Sequence, residues 1–183
     1  MIYVALLRGI NVGGKNKVEM PPLRAAFEGA GMTDVTTYIN SGNVVFRQGR
    51  RKPPRIVKEL EEAIENDLGL EIKVLIRDLP SMRKVVKALP AAWTNDSKMK
   101  CDVMFLWEGF DRKDVLKELR IKPEIEDVIY VPGAVIWRID RPNVTRSGMV
   151  RMVGTDLYRG MTIRNCNTVR KLAELMEAAS SRS

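Results

Sequence analysis

Gly9 and the pair Gly14-Lys15 stand at the spacing of a phosphate-binding G-x-x-x-x-G-K-[ST] loop, within the run Arg8-Gly9-Ile10-Asn11-Val12-Gly13-Gly14-Lys15-Asn16. Asn16, however, occupies the place of the hydroxyl that would hold magnesium. Such a loop must also run straight into a helix whose amides face the phosphate, and Val18-Glu19-Met20-Pro21-Pro22 delays that helix. Three spaced glycines opening a helix, as a dinucleotide fold requires, are missing too. An NTPase reading is therefore rejected. Two readings of the loop remain: Gly13-Gly14 with Lys15 and Lys17 as a backbone nest for an anion, or a glycine-rich connection passing close to another backbone.

Other polar residues collect at the ends of elements, where ligands are usually met. Arg8, Asn11 and Lys15 belong to the first run, Ser41 and Asn43 to a second, and Arg164, Asn165, Asn167 and Thr168 to a third. Arginine offers a forked donor for phosphate or carboxylate, Asn and Ser orient it, and a helix N-terminus adds aligned amides. If the last helix packs near the first hairpin, these nine residues would form an anion or phosphate pocket. The competing reading is a structural network in which the same side chains cap helices and satisfy buried carbonyls. The densest positive cluster is Arg47-Gln48-Gly49-Arg50-Arg51-Lys52-Pro53-Pro54-Arg55. Its Arg47, Arg50, Arg51, Lys52 and Arg55 form a basic patch suited to a phosphate backbone or a solvated turn, with Arg138, Arg141, Arg146 and Arg151 as candidates to extend it.

The composition bounds this chemistry. The 183 residues contain no His, which removes His-based general bases, Ser-His and Cys-His pairs and most catalytic zinc sites. Cys101 and Cys166 are too few and too distant for a disulfide scaffold or a metal quartet. No metal and no cofactor is expected. Thirty-one Lys and Arg against 23 Asp and Glu leave a net charge of +8, which favours anionic partners: a nucleotide, a phosphorylated metabolite or nucleic acid. No segment is long and apolar enough for a membrane span, and the opening apolar run is too short for a secretory leader. A cytoplasmic protein with no membrane partner is expected, its oligomeric state left open.

These side chains need a scaffold, and the first half of the chain reads as a regular series. Residues 3–7 form a buried strand, and Pro21-Pro22 open a helix with Leu23, Phe27 and Ala30 on one face. Residues 35–40 and 44–47 flank the turn Ser41-Gly42-Asn43 as a hairpin. A second helix carries Ile56, Leu60, Ile64 and Leu68 up to Gly69, and residues 72–76 read as a strand. The order β-α-β-β-α-β is the split βαβ arrangement of ferredoxin-like folds. After a linking helix and loop at 80–100 the order starts again: a strand at 102–107, a helix capped by Asp111, and a hairpin of 128–131 and 134–139 around Pro132-Gly133. Sliding the chain by 91 residues matches Gly42 with Gly133, Val44 with Val135, Phe46 with Trp137 and Arg47 with Arg138. The expected fold is α+β, two tandem ferredoxin-like (βαββαβ-type) units. The first spans 1–79; the second, irregular, spans 101–178 with an insertion near 143–161 before its last helix, and a tail at 179–183 follows.

Three motifs in order, Arg8 to Asn16 as quoted above, Tyr38-Ile39-Asn40-Ser41-Gly42-Asn43-Val44-Val45-Phe46 and Thr162-Ile163-Arg164-Asn165-Cys166-Asn167-Thr168-Val169, resemble the bacterial family catalogued as domain of unknown function 1697. The resemblance implies an α+β fold with duplicated ferredoxin-like units and names no activity. Members of that family commonly carry Trp where Cys166 stands, which argues against Cys166 as a nucleophile. The reading that follows is a protein binding an anionic ligand, nucleotide or nucleic acid, without catalysis. An enzyme acting on a phosphorylated metabolite, with Lys15 or Arg164 stabilising developing charge, and a protein-interaction scaffold are the alternatives.

Overall fold

A computed structural model describes residues 1–11 and 16–182. The chain divides into two compact units, Met1–Met82 with Leu172–Ser183, and Arg83–Lys171. The fold is α+β, with two four-stranded antiparallel sheets and helices.

The first unit runs β1 (Ile2–Leu7), α1 (Met20–Gly29), β2 (Thr33–Tyr38), β3 (Asn43–Arg47), α2 (Pro53–Leu68) and β4 (Val74–Asp78), then leaves through α3 (Leu79–Ala88). Its sheet order is β2-β3-β1-β4 with antiparallel neighbours throughout. β1 lies between two strands, so every one of its residues is buried and it reads as a continuous apolar run. Tyr3, Ala5 and Leu7 share one face with Val44, Phe46, Val74 and Ile76. Onto that cluster α1 packs Leu23 and Phe27, and α2 packs Ile56, Leu60 and Ile64, spaced by whole turns. Both helices begin at a Pro-Pro pair, where a missing amide hydrogen removes no internal bond. Gly69 ends α2 in the left-handed conformation, its N–H bonded to Glu65. β4 sits two residues later than the apolar run 72–76 suggests, because its pairing with β1 extends to Tyr3↔Asp78.

The second unit contains β5 (Met99–Leu106), the single turn α4 (Val115–Glu118), β6 (Glu126–Val131), β7 (Ala134–Asp140), the single turn α5 (Asp156–Arg159) and β8 (Met161–Asn165), and α6 (Cys166–Ser180) follows. The sheet order β6-β7-β5-β8 repeats the first. One strand is added here and one sequence expectation is corrected. Residues 161–165 form a strand of the sheet, although five residues ending in polar Arg164 and Asn165 carry too short an alternation to be read as one. Asp111 does not cap a helix; its carboxylate accepts from the Tyr130 hydroxyl (2.9 Å) and the Gly133 amide (2.8 Å), clamping the β6–β7 turn. Between β7 and β8 the chain makes two 3-10 segments, Arg141–Arg146 and Gly148–Met152.

The two hairpins match in detail. Arg47 on β3 pairs with Asp34 on β2 at 2.6 Å, and Arg138 on β7 pairs with Asp127 on β6 at 2.6 Å. The positive φ of Gly42 (69°) recurs at Gly133 (90°).

Candidate functional site

The first two motifs meet within the first unit. The Leu7 amide donates to Gly42 O at 2.8 Å. The Asn11 carboxamide donates to Asn40 O (2.7 Å) and Val18 O (2.9 Å) and accepts from the Val18 amide (2.8 Å). Asn11 itself is left-handed at φ 53°, a conformation that Asn tolerates better than most residues. Gly42 is required at its position, because a Cβ there would stand 2.7 to 2.9 Å from Ile10 and Leu7. Asn43 is fully buried and donates to Tyr38 O (3.1 Å) and Ser41 Oγ (2.9 Å). Beside this network lies an open hollow of about 620 Å³ lined by Asn11, Lys17, Glu19, Met20, Pro21 and Asn40, among others. Arg8 is half-buried, its amide bonded to Lys73 O. Lys15 and Gly13-Gly14 lie outside the described residues.

In the basic turn, three of the five cations are tied to the first unit. Arg47 binds Asp34 and donates to Ala179 O (2.8 Å), Arg51 binds Glu59 (2.9 Å) and Ala30 O (2.6 Å), and Arg55 binds Glu59 (2.8 Å). The Gln48 side chain holds the turn, accepting from the amides of Gly49 and Arg50. Arg50 and Lys52 are exposed and have no carboxylate partner among the described residues. Arg55 keeps a side chain 71% exposed despite its ion pair.

The third motif lies in the second unit. Arg164 is 8% exposed and donates to Thr162 Oγ1 (3.0 Å) and Ile163 O (2.8 Å). Burial pushes its guanidinium down to about 10, so the side chain remains a cation at neutral pH. The Asn165 carboxamide caps α6 by accepting from the Thr168 amide at 2.9 Å. The Asn167 carboxamide donates to Asn95 O (2.9 Å) and accepts from the Asn95 amide (3.4 Å). Cys166 stands one step beyond the Asp102↔Asn165 pair, opposite Cys101, and both thiols are wholly buried. A hydrogen bond from Cys101 and the charge of Arg170 make Cys166 the more acidic of the two.

Sequence reasoning missed a concavity of the second unit. A cavity of about 380 Å³ opens on the second sheet, its walls supplied by β5, β7, β8 and the 3-10 segments. Lys100, Asp102 and Met104 alternate along β5 and so share the face that lines it, beside Trp137, Met152 and Val153. Lys100 Nζ stands 3.6 Å from Asp102 Oδ2 and 5.7 Å from the Trp137 ring centre. Burial raises the Asp102 carboxyl above its ordinary value, against the opposing pull of Lys100 and Arg141. The wall is anchored by Glu126, a carboxylate 3% exposed. It accepts from Trp137 Nε1 (3.1 Å), the Lys122 amide (2.7 Å), the Gly148 amide (3.4 Å) and the Ser147 hydroxyl. The one signal in the sequence was two opposite charges, i and i+2, on an otherwise apolar strand. Among the described residues no group of three or more His, Cys, Asp or Glu could hold a metal ion, and no helix is long and apolar enough to cross a membrane.

The chain belongs to the family described as protein of unknown function (DUF1697), whose model matches residues 1–137. Its fold is similar to that of the conserved bacterial protein SP0830 from Streptococcus pneumoniae, with a TM-score of 0.80 and 28% identity, covering 96% of this chain and 98% of the other. No curated protein matches the chain.

Proposed function

We propose that the protein binds an anionic ligand, a nucleotide or nucleic acid, without catalysing its conversion, in the cytoplasm. The observation that carries the reading is the pairing of motifs in the first unit: Asn11 and Asn40 from separate motifs border one open hollow that Lys17 also lines. The net charge of +8 and the uncompensated Arg50 and Lys52 add a surface on which a phosphate backbone would release counterions. Arg8, Asn11, Lys15, Ser41 and Asn43 are the candidate ligand residues of the first unit, Arg164, Asn165, Asn167 and Thr168 those of the second, and the basic patch comprises Arg47, Arg50, Arg51, Lys52 and Arg55. Arg50, Lys52 and Arg55 make the polyanion contacts, because Arg47 and Arg51 already hold the turn in place. The absence of His favours binding over acid–base turnover.

The scaffold for this activity is a pair of ferredoxin-like units derived by tandem duplication, 1–79 and 101–178, joined through 80–100. The repeated strand order and the repeated Arg–Asp pair support that descent.

Fluorescence anisotropy with a labelled single-stranded oligonucleotide and with a labelled adenine nucleotide, each from low to moderate salt, tests the reading. Binding should weaken linearly on a log–log salt scale. Replacing Arg50 and Lys52 together by Ala should lower the oligonucleotide slope by roughly 1.4, about 0.7 per lost phosphate contact. Lys17→Ala should weaken the nucleotide. Salt-independent retention, or indifference to both variants, refutes the proposal; turnover of a phosphorylated metabolite or co-purification with one protein would favour the other two readings.

A further inference from the structure

The cavity of the second unit has the features of a small-molecule site and plays no part in the anion reading. Its volume, about 380 Å³, falls in the range of ligand pockets. Apolar side chains predominate in its lining, three of them methionines (Met104, Met149 and Met152), whose unbranched thioethers adapt to an irregular occupant. The wall is prebuilt: the buried Glu126 carboxylate fixes Ser147 and Gly148, and the Ser147 hydroxyl in turn accepts from the Met149 amide at 3.0 Å. Gly148 is pressed so closely on the Arg120 carbonyl that a Cβ would lie 1.8 Å from its oxygen, so the approach admits no side chain.

Into this apolar space project one cation and one anion. A charge-assisted hydrogen bond is typically about 2.7–2.9 Å long, whereas Lys100 and Asp102 stand 3.6 Å apart. The ammonium therefore retains donors, and the carboxylate retains lone pairs, for a third group. Their side chains are 35% and 18% exposed, so both are within reach of solvent while Asp102 is already poorly solvated. A ligand with a single charge would satisfy one of these groups and face repulsion from the other. A ligand that carries an ammonium and a carboxylate on one carbon matches the pair.

We propose that this cavity binds a small zwitterion with an apolar body, an α-amino acid with an aliphatic, thioether or aromatic side chain. Its carboxylate accepts from Lys100 Nζ, its ammonium donates to Asp102, and its side chain lies against Trp137, Met104 and Met152. Such a ligand has no net charge, so its binding is insensitive to the salt that governs the polyanion surface.

Isothermal titration calorimetry on the full chain with L-leucine, L-methionine, L-phenylalanine and L-tryptophan provides the test, with phenethylamine and 3-phenylpropionate as single-charge probes. At least one amino acid should bind saturably, with each single-charge probe weaker by tenfold or more. Asp102→Asn and Lys100→Met should each weaken that amino acid by at least tenfold, while near-UV circular dichroism stays native. Val153→Arg adds bulk at a rim position that is 66% exposed, and it should block binding without unfolding the protein. The proposal is overturned if no amino acid binds at millimolar concentration, if either single-charge probe binds as well, or if folded Asp102→Asn retains full affinity. Because Arg50, Lys52 and Lys17 are absent from this cavity, its failure leaves the anion reading standing, and the converse holds.

Discussion

Glu126 gives the sharpest energetic test of the second unit. One carboxylate oxygen accepts from Trp137 Nε1 and the Ser147 hydroxyl, the other from the amides of Lys122 and Gly148. With the residue 3% exposed, bulk water does not reach these bonds in the native unit. Glu126→Ala leaves several buried donors unpaired, and each unsatisfied group costs about 1–3 kcal/mol. Since the Gly148 contact is long and some donors will recruit water, a loss of about 3–5 kcal/mol is expected, similar to that of a broken buried charge network. Glu126→Gln separates charge from packing. With its amide oxygen on the Lys122 side it keeps both backbone donors, and its NH2 can donate to Ser147 Oγ. Only Trp137 Nε1–H then faces another donor, so the loss should be about 1–3 kcal/mol. In a chain of this length each kcal/mol lowers Tm by roughly 2–4 °C. Urea unfolding followed by circular dichroism gives both values, and tryptophan emission should report the orphaned Trp137. If Gln costs as much as Ala, or if either costs less than about 0.5 kcal/mol, the carboxylate does not hold this wall.

Two further outcomes follow from the same unit. Gly148→Ala should abolish the native second unit, because the Arg120 carbonyl cannot withdraw, whereas Gly109→Ala meets no atom within 4 Å and should leave Tm nearly unchanged. Thermal unfolding of the two variants side by side checks this, and equal stability would refute it. Asp102 supplies the pH dependence. Burial raises its folded-state carboxyl value above the unfolded one, so its contribution to stability is present below the unfolded value, near pH 4, and is lost as pH rises through the folded value. Asp102→Asn should therefore be more stable than the parent at pH 7, with the advantage vanishing near pH 3. An advantage that persists or grows on acidification would show that desolvation does not dominate at this carboxylate.

Elements whose signals are local were legible from the residues alone. Ile56, Leu60 and Ile64 recur at whole-turn spacing, Pro53 and Gly69 mark their limits, and α2 follows from these residues without any tertiary partner. The first hairpin, the second hairpin and the α+β class were legible for the same reason, as was the family itself. Strand β8 was not legible, because a five-residue strand is defined by its ladder to β5 more than by its own composition. Asp111 was misassigned because a carboxylate before a helix and a carboxylate beneath a turn look alike until Gly133 and Tyr130 arrive from 20 or so residues away. The cavity belonged wholly to the tertiary structure. Lys100 and Asp102 are neighbours by strand alternation, but their enclosure depends on a buried glutamate on another strand holding a segment that has no periodic signal of its own. Burial and enclosure are properties of what folds over a residue, and periodicity reports only which way the residue faces.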